Sequence, residues 1–468
     1  MQTQAPNKAF SGYYHRDVPE EDAELTHVGP GTPCGEYLRR FWHPVFWSSE
    51  LKDLPKRIRI LGEDLVIFRD GRGEIGLLAL HCSHRGTSLE YGMVEGHGIR
   101  CCYHGWLYDV DGRLLEAPGE PPDSTLSERI VHGAYPTLDY HGLVFAYMGP
   151  PESRPDFPIY DSFELPGYHL APSSRPKRDE LSIDSANWLQ LAENNIDVVH
   201  AVFLHYPEVA RAVLAQHRPS ANSDLSMDDY FNRGLPGWDA ALARVRDEFQ
   251  HEIIEWQESP LGVLATEARP SGDLVWVRLT DYILPNVSQF PPHRYEKAAE
   301  EVEFEPPDMT GWTVPIDDTH TIDFSFRHVR DGDSPVWSGA FAQAGNVKIN
   351  RGVLRSNASL ERSYEERQRQ PGDYEAQQSQ RAIAVHAAEH LGSTDRGVVL
   401  VRKMIREGIR AVQAGREPLR PTAGTDGRVA TYCRNTILNV PSTNGGSARR
   451  EQLRSTMRGI ADAVLRKG

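Results

Sequence analysis

The 468-residue chain is 39% hydrophobic and 25% charged, with a formal net charge of -15, long enough for two or three domains that each bury a core. The acidic balance argues against a phosphate-backbone ligand, whose binding is driven by concentrated Lys and Arg, so no nucleic acid partner is expected. No apolar run approaches the roughly eighteen residues that cross a bilayer, and the start, MQTQAPNKAFSGYYHRDVPEEDAEL, lacks a basic region followed by an apolar core; a cytoplasmic location with no membrane partner is expected.

From Lys56 to about Tyr147 the runs RIRILGEDLVIFRD, GLLAL and GLVFAYMG, separated by Gly and Asp turn signals, predict a small all-β domain. Inside it, His81 to Trp106 reads HCSHRGTSLEYGMVEGHGIRCCYHGW and holds three of the five cysteines and four of the nineteen histidines. An odd cysteine count without an export signal argues against a disulfide framework and for metal. Pro150, Pro151, Pro155 and Pro158 then favour an extended connector. The boundary is placed there, giving a first domain over 1–150 and a second over 151–468.

The second domain opens with a helical stretch, SANWLQLAENNIDVVHAVFLH, followed by a polar segment to about Arg246 that carries no assignable pattern. GVLATEAR, LVWVRLTDYIL and HTIDFSFRHVR read as strands. From about Tyr374 to Ala414 the period is helical, with HAAEHLG supplying a Gly stop and GVVLVRKMIREGIRAVQAG a second amphipathic run. Strands followed by long helices imply an α+β domain.

Two pairs organise the cysteine-rich segment: Cys82 with His84, and Cys101 with His104, sixteen residues apart. Four such ligands suit zinc, or a 2Fe-2S cluster in which two histidines replace two cysteines on one iron. Structural zinc usually pairs cysteine with cysteine on one loop, whereas each loop here is mixed, which favours the cluster. Cys102 leaves an ambiguity, because Cys102-Tyr103-His104 repeats the spacing of the first loop.

Downstream, Asp197, His200 and His205 stand at the spacing DxxHxxxxH. Asp197 and His200, three apart, would share a helix face. His205 lies about 140° further round an ideal helix, so both histidines can bind one metal only if the helix ends or bulges between them, which Pro207 makes plausible. Two histidines and a carboxylate form the facial triad of non-haem Fe(II) oxygenases. Spacing alone does not choose the carboxylate among Asp373, Glu375, Glu389 and Asp395, and Asp373 after Pro371-Gly372 could equally cap a helix.

CSH, sixteen residues, then CCYHGW resembles the signature CxH…CxxHGW of the Rieske non-haem iron ring-hydroxylating oxygenases. GPGTPCGEYLRRFW, VPIDDTHT and QPGDYEAQQSQRAI with EHLGSTD are similar to the alpha subunits of the phthalate dioxygenase-like subgroup, so the matches span most of the chain. The resemblance implies an α+β protein: an N-terminal all-β Rieske domain, then a catalytic domain with an antiparallel sheet surrounded by helices, helix-grip and START-like. It selects Cys82, His84, Cys101 and His104 for a Rieske 2Fe-2S cluster and leaves Cys102 as a packing thiol. For a mononuclear Fe(II) it selects His200, His205 and Asp373. It makes Asp197 a bridge to a Rieske histidine of a neighbouring subunit in a homotrimer or a multiple of trimers. Glu193 and Asn194 resemble positions that support the iron ligands, and Arg269 resembles a pocket arginine able to grip a substrate carboxylate.

The implied function is the terminal oxygenase of a multicomponent system. Such a protein inserts oxygen from O2 into aromatic substrates, often carboxylated, by dioxygenation or by monooxygenation and O-demethylation. Electrons would come from a separate NAD(P)H-dependent reductase, directly or through a ferredoxin. Two other classes remain: a Rieske electron-transfer protein with a silent second domain, which the complete triad disfavours, and a zinc-stabilised binding protein, which the mixed loops disfavour.

Overall fold

The computed structural model describes residues 12–13, 16–172, 183–200, 204, 253–271, 273–291, 302–332, 362–369, 371–441 and 446–466. The polar segment after Pro207 and His205 itself lie outside them. Helix α1 (Ala23–Thr26) leads into α2 (Pro33–Leu38), where GPGTPCG builds a helix start: Thr32 is the N-cap, its hydroxyl accepts the Gly35 N–H at 3.1 Å, and Pro33 takes the first helical position.

Strand β1 (Trp42–Trp47) is followed by β2 (Lys56–Ile60), β3 (Glu63–Arg69) and β4 (Ile75–Ala79), then by the short strands β5 (Met93–Glu95), β6 (Gly98–Arg100), β7 (Leu107–Tyr108) and β8 (Leu114–Glu116). After α3 (Leu126–Arg129) come β9 (Ala134–Tyr135), β10 (Thr137–Tyr140) and β11 (Leu143–Tyr147). Three antiparallel sheets result, with orders β1-β11-β10, β2-β3-β4-β9 and β5-β6-β7-β8. The all-β expectation for this part is met.

Beyond the connector lie β12 (Tyr168–Pro172), β13 (Ile183–Asp184) and α4 (Trp188–Asn194), then β14 (Ile253–Glu258), β15 (Gly262–Ser271), β16 (Leu274–Ile283) and β17 (Val287–Phe290). Next come β18 (Val302–Glu305), β19 (Met309–Asp317), β20 (His320–Arg330), the helices α5 (Tyr364–Arg369), α6 (Asp373–Gln378) and α7 (Arg396–Gln413), β21 (Arg434–Asn439) and α8 (Gly446–Leu465). The strands form one ten-stranded antiparallel sheet, ordered β12-β20-β19-β17-β16-β15-β14, with β13 on β20 and β21 joining β16 to β18. This is the expected sheet bordered by helices.

Helix α7 places Val398, Val401, Met404, Ile405 and Ile409 on its buried stripe. Two glycines on that stripe allow close approach, since a Cβ at Gly397 would lie 2.4 Å from the Trp256 indole and one at Gly408 2.3 Å from the Tyr37 ring. Trp47 meets Phe324 at 4.5 Å and Phe145 meets Trp312 at 5.4 Å between ring centroids, so the β1-β11-β10 sheet and the large sheet share one core. A second core, with Val66, Phe68, Leu78, Ile99 and Tyr108, surrounds Cys82 and Cys101.

Of the run from Tyr374 to Ala414, the second amphipathic stretch forms α7, whereas the part leading to the Gly392 stop is helical only over α6. Between α6 and α7 the chain makes only short 3-10 turns, His386–Ala388 and Ser393–Asp395. Groups of the α4 segment engage its backbone instead: the Gln190 side chain donates to the Gln377 and Arg381 carbonyls and accepts the Ala384 N–H, while Ala382 O accepts the backbone N–H of Asn187. Satisfied in this way, those groups have no need of an i→i+4 ladder. Strand β21 and helix α8 are elements the sequence reading did not assign.

Candidate metal centres

The two ligand loops are built alike. In the first, Cys82 N–H donates to Thr87 O (2.9 Å) and Gly86 N–H to Cys82 O (2.8 Å); in the second, Cys101 N–H donates to Trp106 O (2.8 Å) and Gly105 N–H to Cys101 O (3.1 Å). Each loop closes on a glycine in the left-handed region, Gly86 at φ +76° and Gly105 at φ +72°. A glycine four residues after each cysteine is a signal the sequence held and the motif reading passed over.

These loops bring the four expected ligands together in two layers. Cys82 and Cys101 are buried among apolar side chains, and burial pushes the Cys101 thiol up, with the adjacent Cys82 adding to the shift. Above them the His84 and His104 rings meet at 4.5 Å and 74°, His84 stacks on Trp106 at 4.6 Å, and His84 is open to solvent. Two facing thiols inside and two facing imidazoles outside fit a binuclear cluster with one ligand type on each iron. Cys102 points away from Cys101, as expected, but it is exposed and not packed: the turn after Cys101 carries it to the surface.

Three further residues support this centre. The Tyr108 hydroxyl lies 3.2 Å from Cys82 Sγ and is the natural donor to a thiolate. His132 is 3% exposed, and its Nε2–H donates to Ala79 O at 2.7 Å. Nδ1 is then the acceptor for Ser83 Oγ–H at 2.7 Å, which ties down the residue between Cys82 and His84. Burial holds the His132 imidazole below its ordinary pKa, consistent with this neutral form.

The second centre starts at the end of α4. Its N-cap, Asn187, accepts the Leu189 N–H at 3.1 Å, and the helix stops at Asn194, upstream of the expected break. Asp197 and His200 therefore do not share a helix face. Instead Asp197 Oδ1 accepts the N–H groups of Val199 (3.0 Å) and His200 (3.3 Å), capping a new turn. His200 Nδ1–H donates to the Asp197 carbonyl, and the other ring nitrogen, Nε2, is turned toward Asp373, 3.6 Å from its Oδ1.

Asp373 is free of the capping role. Gly372 is the N-cap of α6, and its N–H is taken by Glu375 Oε2 at 2.7 Å. Asn194 Nδ2 donates to Asp373 Oδ1 at 3.4 Å across 179 residues of sequence. The other carboxylate candidates are engaged elsewhere: Glu389 with Arg402, Asp395 with the Gly392 N–H, and Glu375 additionally with Arg362. Among the described residues no three His, Cys, Asp or Glu side chains converge on one point.

Glu193 lies in an ion cluster. Arg402 binds it through Nε (2.5 Å) and Nη2 (2.7 Å) and reaches Glu389 with Nη1 (2.5 Å). Burial nonetheless pushes the Glu193 carboxyl up to about 7, against the opposing pull of Arg402. On β15, Arg269 donates to Glu267 Oε2 at 2.9 Å and sits over the Trp276 ring at 5.2 Å, while Arg278 holds Oε1 of the same glutamate at 3.2 Å.

On β20, Asp323 stands opposite Thr313 of β19. Its strand neighbour Phe324 and its cross-strand partner Thr313 are buried, yet Asp323 itself is open to solvent.

Two metal centres, one on an all-β unit and one against a helix-bordered antiparallel sheet, define a class of oxygenase, and comparison with known proteins agrees. Residues 41–136 match the Rieske [2Fe-2S] domain family. The chain is 42% identical over 455 residues to the tert-butanol monooxygenase / tert-amyl alcohol desaturase oxygenase subunit of Aquincola tertiaricarbonis, covering 94% of this chain and 88% of that protein. It is 35% identical over 424 residues to the phenoxybenzoate dioxygenase subunit alpha of Ectopseudomonas oleovorans, covering 88% and 90%. The fold is shared with NdmA of Pseudomonas putida CBB5, in its QL mutant with caffeine, at a TM-score of 0.53, 18% identity and coverage of 82% and 94%. The chain belongs to the Rieske non-haem iron oxygenases, as an oxygenase (alpha) subunit. It is an O2-dependent oxidoreductase, the terminal oxygenase component of its system, and its cofactors are a Rieske 2Fe-2S cluster and a mononuclear iron. Among the described residues no helix is long and apolar enough to cross a membrane.

Proposed function

We propose that residues 1–150 receive electrons and residues 151–468 carry out the oxygenation, with Cys82, His84, Cys101 and His104 holding the cluster and His200, His205 and Asp373 holding the iron. The observation that carries this reading is His200 Nε2 lying beside Asp373 Oδ1 at 3.6 Å, with the other His200 nitrogen committed to a carbonyl. When bound, the two groups pass electrons inward and activate O2 for insertion into an organic substrate. The protein's part is positional. Asn194 orients Asp373, Tyr108 donates to the Cys82 sulfur, and His132 steadies the first loop through Ser83. Glu193 anchors the end of α4 to α7 through Arg402.

Asp197 uses one oxygen as a cap and keeps the other available for a histidine of a neighbouring chain. We therefore place electron transfer between subunits of a cyclic trimer or a multiple of trimers. A separate NAD(P)H-dependent reductase, directly or through a ferredoxin, supplies the electrons in the cytoplasm. The substrate is a mostly apolar molecule, aromatic or branched aliphatic, carrying one polar group. The relatives named for tertiary alcohols and for phenoxybenzoate both fit that description. Arg269 could serve a carboxylated substrate only in competition with Glu267, which already binds it.

One experiment tests these assignments together. Cys82→Ser should lose the cluster spectrum and keep the mononuclear iron, and His200→Ala should do the reverse; neither should turn over alone. Activity reappearing when the two chains exchange subunits supports transfer between chains. Mixed assemblies that form and stay inactive, beside a fully active isolated monomer, would overturn it.

A further inference from the structure

Outside both ligand sets, one buried imidazole joins the first cluster loop to the strand that follows the second. The backbone of His132 is fixed from two sides. Its N–H donates to Gly112 O at 2.7 Å, in the turn between β7 and β8, and the next carbonyl, Gly133 O, accepts the Ala79 N–H at 2.8 Å at the end of β4. The first approach is close enough to require glycine, since a Cβ at Gly112 would lie 2.1 Å from the His132 carbonyl oxygen.

Both ring nitrogens are engaged as well, Nε2–H with Ala79 O at 2.7 Å and Nδ1 with the Ser83 hydroxyl at 2.7 Å, 49 residues away in sequence. Two bonds at opposite ends of the ring hold its plane, and a held plane presents a fixed face. That face lies against the Tyr108 ring, with centroids 4.7 Å apart and planes 31° apart. Tyr108 is fully buried, and its hydroxyl is 3.2 Å from Cys82 Sγ. The phenol keeps that reach only while its ring stays in place, and the imidazole is one wall of the slot that holds it. A bond donated to a cluster sulfur favours the reduced form, which carries the additional negative charge, and so raises the reduction potential.

We propose that His132 is a positioning residue for electron transfer: by walling the Tyr108 ring it maintains the phenol's donation to Cys82 and holds the cluster's reduction potential above the value it would take without that wall. The inference rests on the assignment of Cys82 to the cluster and adds a determinant of its potential. The bonds to Ser83 and Ala79 have a separate consequence, which is to tie the first loop to the body of the domain.

Redox titration of the cluster's visible absorption, on the full-length protein carrying both metal groups, tests the proposal. Tyr108→Phe, which removes the donor, should move the potential to a more negative value. His132→Asn, whose amide oxygen can replace Nδ1 as acceptor for Ser83 but which leaves the Tyr108 face uncovered, should move it the same way by less. In the Tyr108→Phe background it should move it no further, the non-additivity of two residues that act through one bond. His132→Phe, which keeps an aromatic face and loses both nitrogens, should hold the potential closer to wild type while losing the cluster absorption at a lower temperature. His132→Leu replaces His132→Asn if the latter does not retain the cluster. An unshifted potential in Tyr108→Phe or in the asparagine or leucine variant overturns the proposal. So does full additivity with Tyr108→Phe, or a shift in His132→Phe as large as in His132→Asn. Loss of the cluster from both His132→Asn and His132→Leu also overturns it, by making His132 a residue of folding alone. The two layers of inference separate at Cys82→Ser: a retained cluster spectrum there defeats the ligand assignment, whereas a lost spectrum with potentials indifferent to His132 defeats the role of His132 alone.

Discussion

The two metal regions gather ligands in opposite ways. The cluster region is local: within Cys82–Trp106, two loops with matching backbone hydrogen bonds present their own cysteine and histidine, so each loop is largely its own scaffold. The iron region is assembled at long range, with Asn194 at the end of α4 and His200 in the turn beyond it meeting Asp373 at the start of α6, and Gln190 holding the chain between α6 and α7 in place. Changes at the first should act through loop geometry, and changes at the second through the packing that unites distant segments.

The largest expected effect tests the long-range side. Asp373→Ala should abolish mononuclear iron binding and substrate oxidation while the cluster spectrum survives, as measured by iron analysis and visible absorption. Glu375→Ala is the matched control, because it removes the group that takes the Gly372 N–H. It should cost about 0.5 to 2 kcal/mol of stability and leave the iron in place. If the two variants behave alike, Asp373 belongs to the helix start and not to the metal.

The same contrast explains what the sequence disclosed. The four proposed cluster ligands stood out because they fall within one short stretch at a recognisable spacing, and strands such as GLLAL and LVWVRLTDYIL were legible because they are short apolar runs between turn residues. Asp373 could be chosen only through resemblance, since four carboxylates were equivalent by spacing and a hydrogen bond over 179 residues leaves no local trace. Between α6 and α7 the helical reading failed for a related reason: periodicity registers apolar spacing and not the capture of backbone groups by Gln190.

Glu193 sharpens the comparison through pH, because it belongs to the packing that secures the iron region. Its carboxyl, ordinarily near 4.5, is pushed up to about 7 by burial. The folded form thus holds its proton more tightly than the unfolded chain does. The associated stability is complete below about pH 4.5 and is lost as pH rises through about 7, by on the order of 3 kcal/mol at most. Glu193→Gln imitates the protonated state and leaves Arg402 paired with Glu389. Urea denaturation should show a flatter stability profile for the variant between about pH 5 and 8, with its advantage over wild type greatest at the alkaline end. Parallel profiles would remove Glu193 from the account.

The smallest effect probes whether the two cluster loops, alike in backbone bonds, are alike in tolerance. Both Gly86 and Gly105 sit at positive φ, where any L side chain costs roughly 1 to 2 kcal/mol. The surroundings differ. A Cβ at Gly86 meets nothing within 4 Å, whereas one at Gly105 would lie 2.9 Å from Pro118 Cγ, closer than such contacts normally come. Gly86→Ala should therefore show the backbone cost alone, and Gly105→Ala that cost plus the displacement of Pro118. Following loss of the cluster absorption during thermal denaturation, both variants should melt below wild type, with Gly105→Ala the lower of the two. Equal melting temperatures would mean that Pro118 yields freely, and that the second loop is held by its four backbone atoms in the same way as the first.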